Sequence, residues 1–329
     1  MRILASVQKI RNLESIPEAE KIEKATILGW SVVVKKQEFE VGDLCVYVEI
    51  DSILPPKPPF EFLGKSGYRI KTVRLRNQIS QGICFPISIL GKGDFSEGQN
   101  VTDMLGIIKY EPPIPAHLAG QIKGEFPSFI PKTDEPRIQT CPEILSKYSH
   151  LDFYATEKVD GTSMTIFVKD GWLEICSRRL LLAYNANNSY FKIIENLSLE
   201  EKLKSAGEKY ALQGELAGEG INQNIYQLHG QKLFIFNIYN FLTGKYLAWS
   251  EIKKLSQNWE LETVPEVFPN LHLPKDVDEI IKLATRKSLI NINTWAEGLV
   301  FRPLEEKFDI DFGRVSFKAV NPEFLLKYE

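Results

Sequence analysis

Apolar and polar residues alternate in short runs through the first hundred positions. Trp30-Ser31-Val32-Val33-Val34-Lys35 is rich in β-branched residues, and Leu44-Cys45-Val46-Tyr47-Val48-Glu49-Ile50 follows the turn residues Gly42-Asp43. Tyr68 to Leu75 forms a third run and Ile83-Cys84-Phe85-Pro86 a shorter fourth. Runs of this length between Gly and Pro predict strands. The stretch Ile16-Pro17-Glu18-Ala19-Glu20-Lys21-Ile22-Glu23-Lys24 predicts one or two helical turns, with Pro17 in the first. Many short strands joined by Gly/Pro turns predict a small barrel. Seven of the 18 prolines then fall between Pro112 and Pro142, as in a linker or a draped, extended segment. Beyond it the pattern changes. Strand-like runs (Met164–Val168, Leu233–Tyr239, Leu299–Phe301, Val315–Val320) alternate with helical spacing at Phe191–Lys209 and Val277–Lys287. This half is expected to be α+β with mostly antiparallel strands.

Composition narrows the picture. A length of 329 residues predicts two domains, and 43% hydrophobic with 25% charged residues is the mix of a globular protein. No apolar run is long enough to span a bilayer, and the opening nine residues are too poor in apolar side chains for a signal peptide. The cysteines at 45, 84, 141 and 176 have no metal-finger or redox spacing, so a reducing, cytoplasmic compartment is expected. A net charge of −3 excludes a wholly basic nucleic-acid coat but leaves room for a local patch. Lys65, Arg69, Lys71, Arg74 and Arg76 supply one, with no acid among them. Phosphate contacts account for such a run; so does a solvated edge strand guarded by charge.

Several chemistries fail on their residues. Gly64-Lys65-Ser66 resembles the end of a phosphate loop, but position 59 is Pro where Gly is required. Gly214-Glu215-Leu216-Ala217-Gly218-Glu219-Gly220 carries two acids that would repel a phosphate. The four histidines share no motif, and no Gly-x-Ser-x-Gly elbow occurs. What remains is Glu157-Lys158-Val159-Asp160-Gly161-Thr162-Ser163. In a strand, Lys158 and Asp160 point to the same side. Asp-Gly is also a hairpin signal, and the lysine before it can simply be solvated. As a nucleophile, a lysine of pKa about 10.4 needs roughly 4–5 kcal/mol to be neutral at pH 7. Burial and nearby cations can supply that shift.

Later segments strengthen the second reading: Gln213-Gly214-Glu215, Leu233-Phe234-Ile235-Phe236-Asn237-Ile238, Glu297-Gly298-Leu299-Val300-Phe301 and Val315-Ser316-Phe317-Lys318. In this order the set resembles the covalent nucleotidyltransferase superfamily of polynucleotide ligases and mRNA capping enzymes. The resemblance implies that Lys158 attacks the ATP α-phosphate and becomes lysyl-AMP. It implies Glu157 at the adenine edge, Phe236 stacked on adenine, and Asp160, Glu215 and Glu297 as carboxylates for hydrated Mg²⁺ or Mn²⁺ and the ribose. Arg178, in Ser177-Arg178-Arg179, would hold a phosphate. Lys318 would neutralise the α-phosphate in the transition state, and Arg137, in Thr133-Asp134-Glu135-Pro136-Arg137, would bind phosphate as well. The usual Lys-x-Lys of the last motif is here Ser316-Phe317-Lys318. Period-two geometry would put Ser316 on the Lys318 face without a charge.

Domain order separates the members. Eleven residues follow Lys318, too few for the OB barrel that DNA ligases and capping enzymes place there. The front strands and Arg74-Leu75-Arg76-Asn77-Gln78-Ile79-Ser80-Gln81-Gly82 resemble RNA ligase family five. That likeness implies an OB domain at 1–110, a Pro-rich linker at 111–142 and a nucleotidyltransferase domain at 143–329. It implies an ATP-dependent enzyme joining 3′-hydroxyl to 5′-phosphate ends through an adenylylated end. Its expected partner is RNA, as nicked duplex or RNA/DNA hybrid, with a monomer acting away from membranes. The rivals are a DNA ligase, a capping-type enzyme, and an RNA-binding protein with a decayed ligase domain.

Overall fold

The computed structural model describes residues 3–111, 121–185 and 187–328. They divide into two compact units, one drawn from Met1–Pro113, Gln139–Pro142 and Pro322–Glu329, the other from Ile114–Ile138 and Glu143–Asn321. Among the described residues no helix is long and apolar enough to cross a membrane.

The described residues of the first unit contain ten short strands: β1 (Ala5–Lys9), β2 (Asn12–Ser15), β3 (Ile22–Ile27), β4 (Trp30–Lys35), β5 (Leu44–Val48), β6 (Ser52–Ile53), β7 (Thr72–Leu75), β8 (Gln78–Gln81), β9 (Ile83–Pro86) and β10 (Ile108–Lys109). They pair antiparallel as β1-β5-β9, β2-β3-β4, β7-β8 and β6-β10. Trp30, Val32, Cys45, Val46, Tyr47 and Val48 are wholly buried among them. The helical turn expected over 16–24 does not form. Glu18 takes a left-handed backbone, with φ of 58°, that a right-handed helix does not admit, and Ile22–Ile27 pairs on both sides as β3. The third run is also shorter than its apolar pattern, because Tyr68 is left-handed and the strand begins at Thr72.

The second unit holds β11 (Ile122–Glu125), β12 (Asp152–Lys158), β13 (Thr162–Lys169), β14 (Trp172–Cys176), β15 (Leu180–Leu182), β16 (Tyr210–Gly218), β17 (Gln231–Asn240), β18 (Lys245–Tyr246), β19 (Glu262–Thr263), β20 (Glu266–His272), β21 (Gly298–Pro303), the hairpin β22 (Phe308–Asp309) and β23 (Gly313–Arg314), and β24 (Phe317–Val320). One sheet runs β11-β15-β14-β13-β16-β17-β18 with β19 beside β17; a second runs β20-β12-β21-β24. Every pair is antiparallel except β17 with β19. Helices Ser189–Asn196, Leu199–Ser205 and Trp249–Asn258 give Phe191, Ile194, Leu203 and Ile252 to a core shared with Met164, Ile166, Leu212, Ile235 and Ile238. The α+β expectation thus holds for this unit. The helical pattern of 191–209 is cut in two at Ser198, whose backbone is left-handed.

The proline-rich stretch is only partly described, since 112–120 lies outside the described residues. From 121 to 138 it belongs to the second unit, where β11 pairs with β15 and the Gln213 amide donates to the Pro131 carbonyl at 2.8 Å.

Candidate active site

Lys158 closes β12, opposite Gly298 at the start of β21. Strand alternation brings Tyr154, Thr156 and Lys158 to one sheet face with Gly298, Val300 and Arg302, and Lys318 stands opposite Val300 on β24. The Lys158 ammonium meets Glu297 Oε1 at 2.5 Å. Burial pulls its pKa down, but the carboxylates of Glu297, Glu215 and Asp160 outweigh that and hold it above the ordinary lysine value.

Two acid–glycine pairs build the acidic side. Asp160 follows β12, with its backbone N–H donating to the Tyr226 hydroxyl at 2.7 Å; the Asn222 amide donates to its Oδ1 at 2.9 Å. A Cβ on Gly161 would lie 2.3 Å from the Leu216 carbonyl oxygen and 3.0 Å from Glu215 Cγ. Only glycine lets this turn close on β16, where Glu215 pairs with Ser163. Likewise a Cβ on Gly298 would lie 2.1 Å from the Ala319 carbonyl oxygen, so the residue after Glu297 lets β21 close on β24. Burial, then repulsion from Glu297 and Asp160, outweigh the Lys158 and Arg178 cations and push Glu215 up to about 8. Gly161→Ala is expected to lower the melting temperature by several degrees and slow any reaction at Lys158 at least tenfold, since backbone rather than a flexible side chain must yield. Thermal melts and a rate measurement check it; an unchanged rate would show that the turn does not set the site.

The basic side is made by Lys318, Arg137 and Arg178. Burial lowers the Lys318 pKa, and Lys158, Arg137 and Arg178 repel its charge; Asp134 offsets part of this, leaving it at about 7. Arg137 forms a parallel bridge with Lys318, whose N–H donates to the Pro136 carbonyl at 2.8 Å. Arg178 is paired with Asp134 and lies within the influence of Glu215 and Glu297.

Other predicted residues stand apart from this cluster. Glu157 alternates to the opposite side of β12 from Lys158, is 1% exposed, and accepts from Ser288 Oγ at 2.5 Å and the Leu289 N–H at 2.7 Å. Burial raises its pKa against these two bonds and the Arg286 charge. Phe236 sits at a register shift where β17 faces the Gln213–Gly214 step of β16, half-buried against the same core as Ile290. Ser316 precedes β24 instead of lying in it and is fully buried. In the first unit, Arg69 is tied to Asp51 at 2.9 Å and stacked 3.6 Å over Tyr110, and Arg74 pairs with Glu323 at 2.5 Å. Lys65 and Arg76 form no ion pair among the described residues. Sequence reading did not single out Asp134, Asn222 or Tyr226. Each is a common polar residue whose role exists only through a partner distant in the chain.

Among the described residues no group of three His, Cys, Asp or Glu side chains forms a cage for a bare metal ion. Three mutually repelling carboxylates around a lysine suit a divalent cation that keeps most of its waters.

An OB-fold domain family matches residues 4–87, and the RNA ligase family matches residues 151–320. No curated protein matches the chain. Among solved structures, a mutant Naegleria gruberi RNA ligase with AMP and Mn is 35% identical, with a TM-score of 0.87 over 98% of each chain. The same enzyme with PPi is 36% identical, with a TM-score of 0.87 over 99% of this chain and 98% of that one. Another mutant, with ATP and Mn, is 36% identical over 98% of each chain at a TM-score of 0.87. With a front OB-fold domain, a ligase model matched over more than half its length, and a lysine ringed by carboxylates where that model lies, the chain belongs to the RNA ligase family.

Proposed function

We propose that this protein is an ATP-dependent RNA ligase that seals 3′-hydroxyl and 5′-phosphate ends, chiefly at nicks in duplexes, through a lysyl-AMP intermediate. The observation that carries the reading is Lys158, paired with Glu297 and within the field of Glu215 and Asp160, beside the cations Lys318, Arg137 and Arg178. Spacing in the relative supports it. Its mutated lysine and aspartate stand two residues apart, as Lys158 and Asp160 do here. Its mutated arginine and one mutated glutamate stand as far before and after that lysine as Arg137 and Glu215 stand from Lys158.

In the first step the neutral Lys158 Nζ attacks the α-phosphorus of ATP; the N–P bond forms, the bond to the bridging oxygen breaks, and pyrophosphate leaves. AMP then passes to the RNA 5′-phosphate, and the 3′-hydroxyl displaces it. Lys318 and Arg137 hold phosphate oxygens and Arg178 a further phosphate, so positioning and charge neutralisation carry the rate. A divalent cation bound by Asp160, Glu215 and Glu297 would supply positive charge against the phosphates and against the carboxylates that keep Lys158 protonated. Phe236 stacks on adenine, and Glu157 sets the 288–290 turn at its edge. The front domain binds the RNA duplex or RNA/DNA hybrid, the second unit carries the ligase chemistry, and the protein works as a cytoplasmic monomer.

Incubation with labelled ATP and Mg²⁺ or Mn²⁺, followed by denaturing electrophoresis, tests the reading: a covalent label from ATP and none from GTP is expected. No label would overturn it. The basic run divides by partner. Lys65→Ala and Arg76→Ala should each weaken binding to a nicked RNA duplex and flatten its dependence on salt by about one phosphate contact. Arg69→Ala should instead lower the melting temperature, because it empties the stack on Tyr110 and leaves Asp51 without that charge. Salt titrations and melts of the three variants check this.

A further inference from the structure

Thr133–Arg137 runs along the site as a strap, and its residues have separate partners. Thr133 Oγ1 lies 3.1 Å from Ser163 Oγ, Asp134 pairs with Arg178, the Pro136 carbonyl accepts the Lys318 N–H, and Arg137 bridges to Lys318. Glu135 goes to none of these. Its Oε1 takes the Arg302 Nη2 at 2.9 Å, in a pair whose side chains are 14% and 2% exposed. Burial drives the Glu135 carboxyl up, but Arg302, Arg314 and the Ser316 hydroxyl more than offset this, so it stays ionised.

The location of this pair gives it a purpose. Arg302 lies on β21 two residues beyond Val300, the residue opposite Lys318, and so one step along the same sheet face. The fully buried Ser316 lies close enough to Glu135 to favour its ionised form, although its Oγ has no hydrogen-bond partner among the described residues. A lysine at 316 would add a further buried cation to Arg302 and Arg314, with Glu135 to share. Buried ion pairs add little net stability over apolar residues of the same size, and their best-attested use is to fix one arrangement among several.

We propose that Glu135 and Arg302 are positioning residues: the pair locks the strap so that Arg137 and Lys318 meet the phosphates together, and Ser316 leaves the room the pair needs. The inference rests on the adenylylation reading above. It makes Arg302, on the strand beside the last motif, the group that stabilises a site carrying one lysine where the usual motif carries two.

Single-turnover formation of lysyl-AMP over a range of ATP concentrations tests it, with rates counted per labelled site so that misfolded protein drops out. Glu135→Gln should slow the step at least tenfold. Arg137→Ala should cost at least tenfold in the native background and less than threefold beside Glu135→Gln, because an unlocked strap has already lost Arg137. A purely structural role would leave the Arg137→Ala cost the same in both backgrounds, and that result, or a native rate for Glu135→Gln, overturns the proposal. Ser316→Lys provides a second route should Glu135→Gln fold poorly. It should lose at least tenfold and regain most of it when combined with Arg302→Met, which leaves Glu135 facing as many cations as in the native protein. A native rate for Ser316→Lys, or no recovery in the double variant, also overturns the proposal. A native protein that takes no label removes the adenylylation reading itself, whereas equal labelling of native and Glu135→Gln proteins strikes this inference alone.

Discussion

Lys158→Ala protein is expected to take no covalent label from ATP and to seal no nick. The lysine is the only amine of the site held against three carboxylates, and its exchange for alanine removes the atom that forms the N–P bond. Among the described residues of the site, Lys318 is the amine best placed to replace it, because its pKa of about 7 leaves it partly neutral at physiological pH. Mapping any residual label by peptide mass therefore decides between them, and AMP found on Lys318 would reverse the assignment. In the native protein the same electrostatics set a pH dependence. Carboxylates raise the Lys158 pKa, the nucleophile is its deprotonated form, and so lysyl-AMP formation should climb as pH rises from 6 to 9. A flat profile would mean that proton loss from Lys158 does not limit the step.

Glu215→Gln should have two large effects of opposite sign. It should slow lysyl-AMP formation by ~100-fold, by removing a carboxylate that draws the divalent cation to the site. It should also stabilise the protein at alkaline pH. Glu215 titrates at about 8 in the folded protein and near 4.5 in an open chain. Between these values the folded state binds the extra proton, so this group's contribution to stability is present below the lower value and declines as pH rises through 8. The isosteric amide has no charge to bury. Melts at pH 5 should show little difference, whereas at pH 9 the variant should melt several degrees higher. Mn²⁺ should raise the native melting temperature by mass action and raise that of Glu215→Gln much less. A variant equally stable to the native protein at pH 9 would show that Glu215 does not carry the strain assigned to it.

The strand-rich character of both halves was legible because it rests on local alternation. The Trp30–Lys35 run forms β4, and the Leu233–Tyr239 run lies inside β17. The turn of helix expected over 16–24 failed because charge and Pro17 are local signals. Pairing of Ile22–Ile27 with both β2 and β4, which nothing in those nine residues encodes, overrides them. The lysine, its carboxylates and Lys318 were legible as an ordered set, since each occurs beside a glycine or within a strand. The Thr133–Arg137 strap showed only its arginine. Asp134 and Glu135 are two adjacent acids in sequence, and their division between Arg178 and Arg302 is decided by alternation along a segment that only the folded chain places beside β24. The basic run shows the same limit. Five cations in twelve residues look alike, yet Asp51 and Glu323 occupy two of them.

The seven-residue helix Pro322–Tyr328 belongs to the first unit although the whole second unit precedes it in the chain. On the ribosome the front unit therefore waits: its strands β1 to β10 emerge early, but the helix that carries Glu323 to Arg74 is translated only after Lys318. The two units are nested, so no single cut yields both intact, and the front unit cannot be moved between ligases as a continuous cassette without leaving that helix behind.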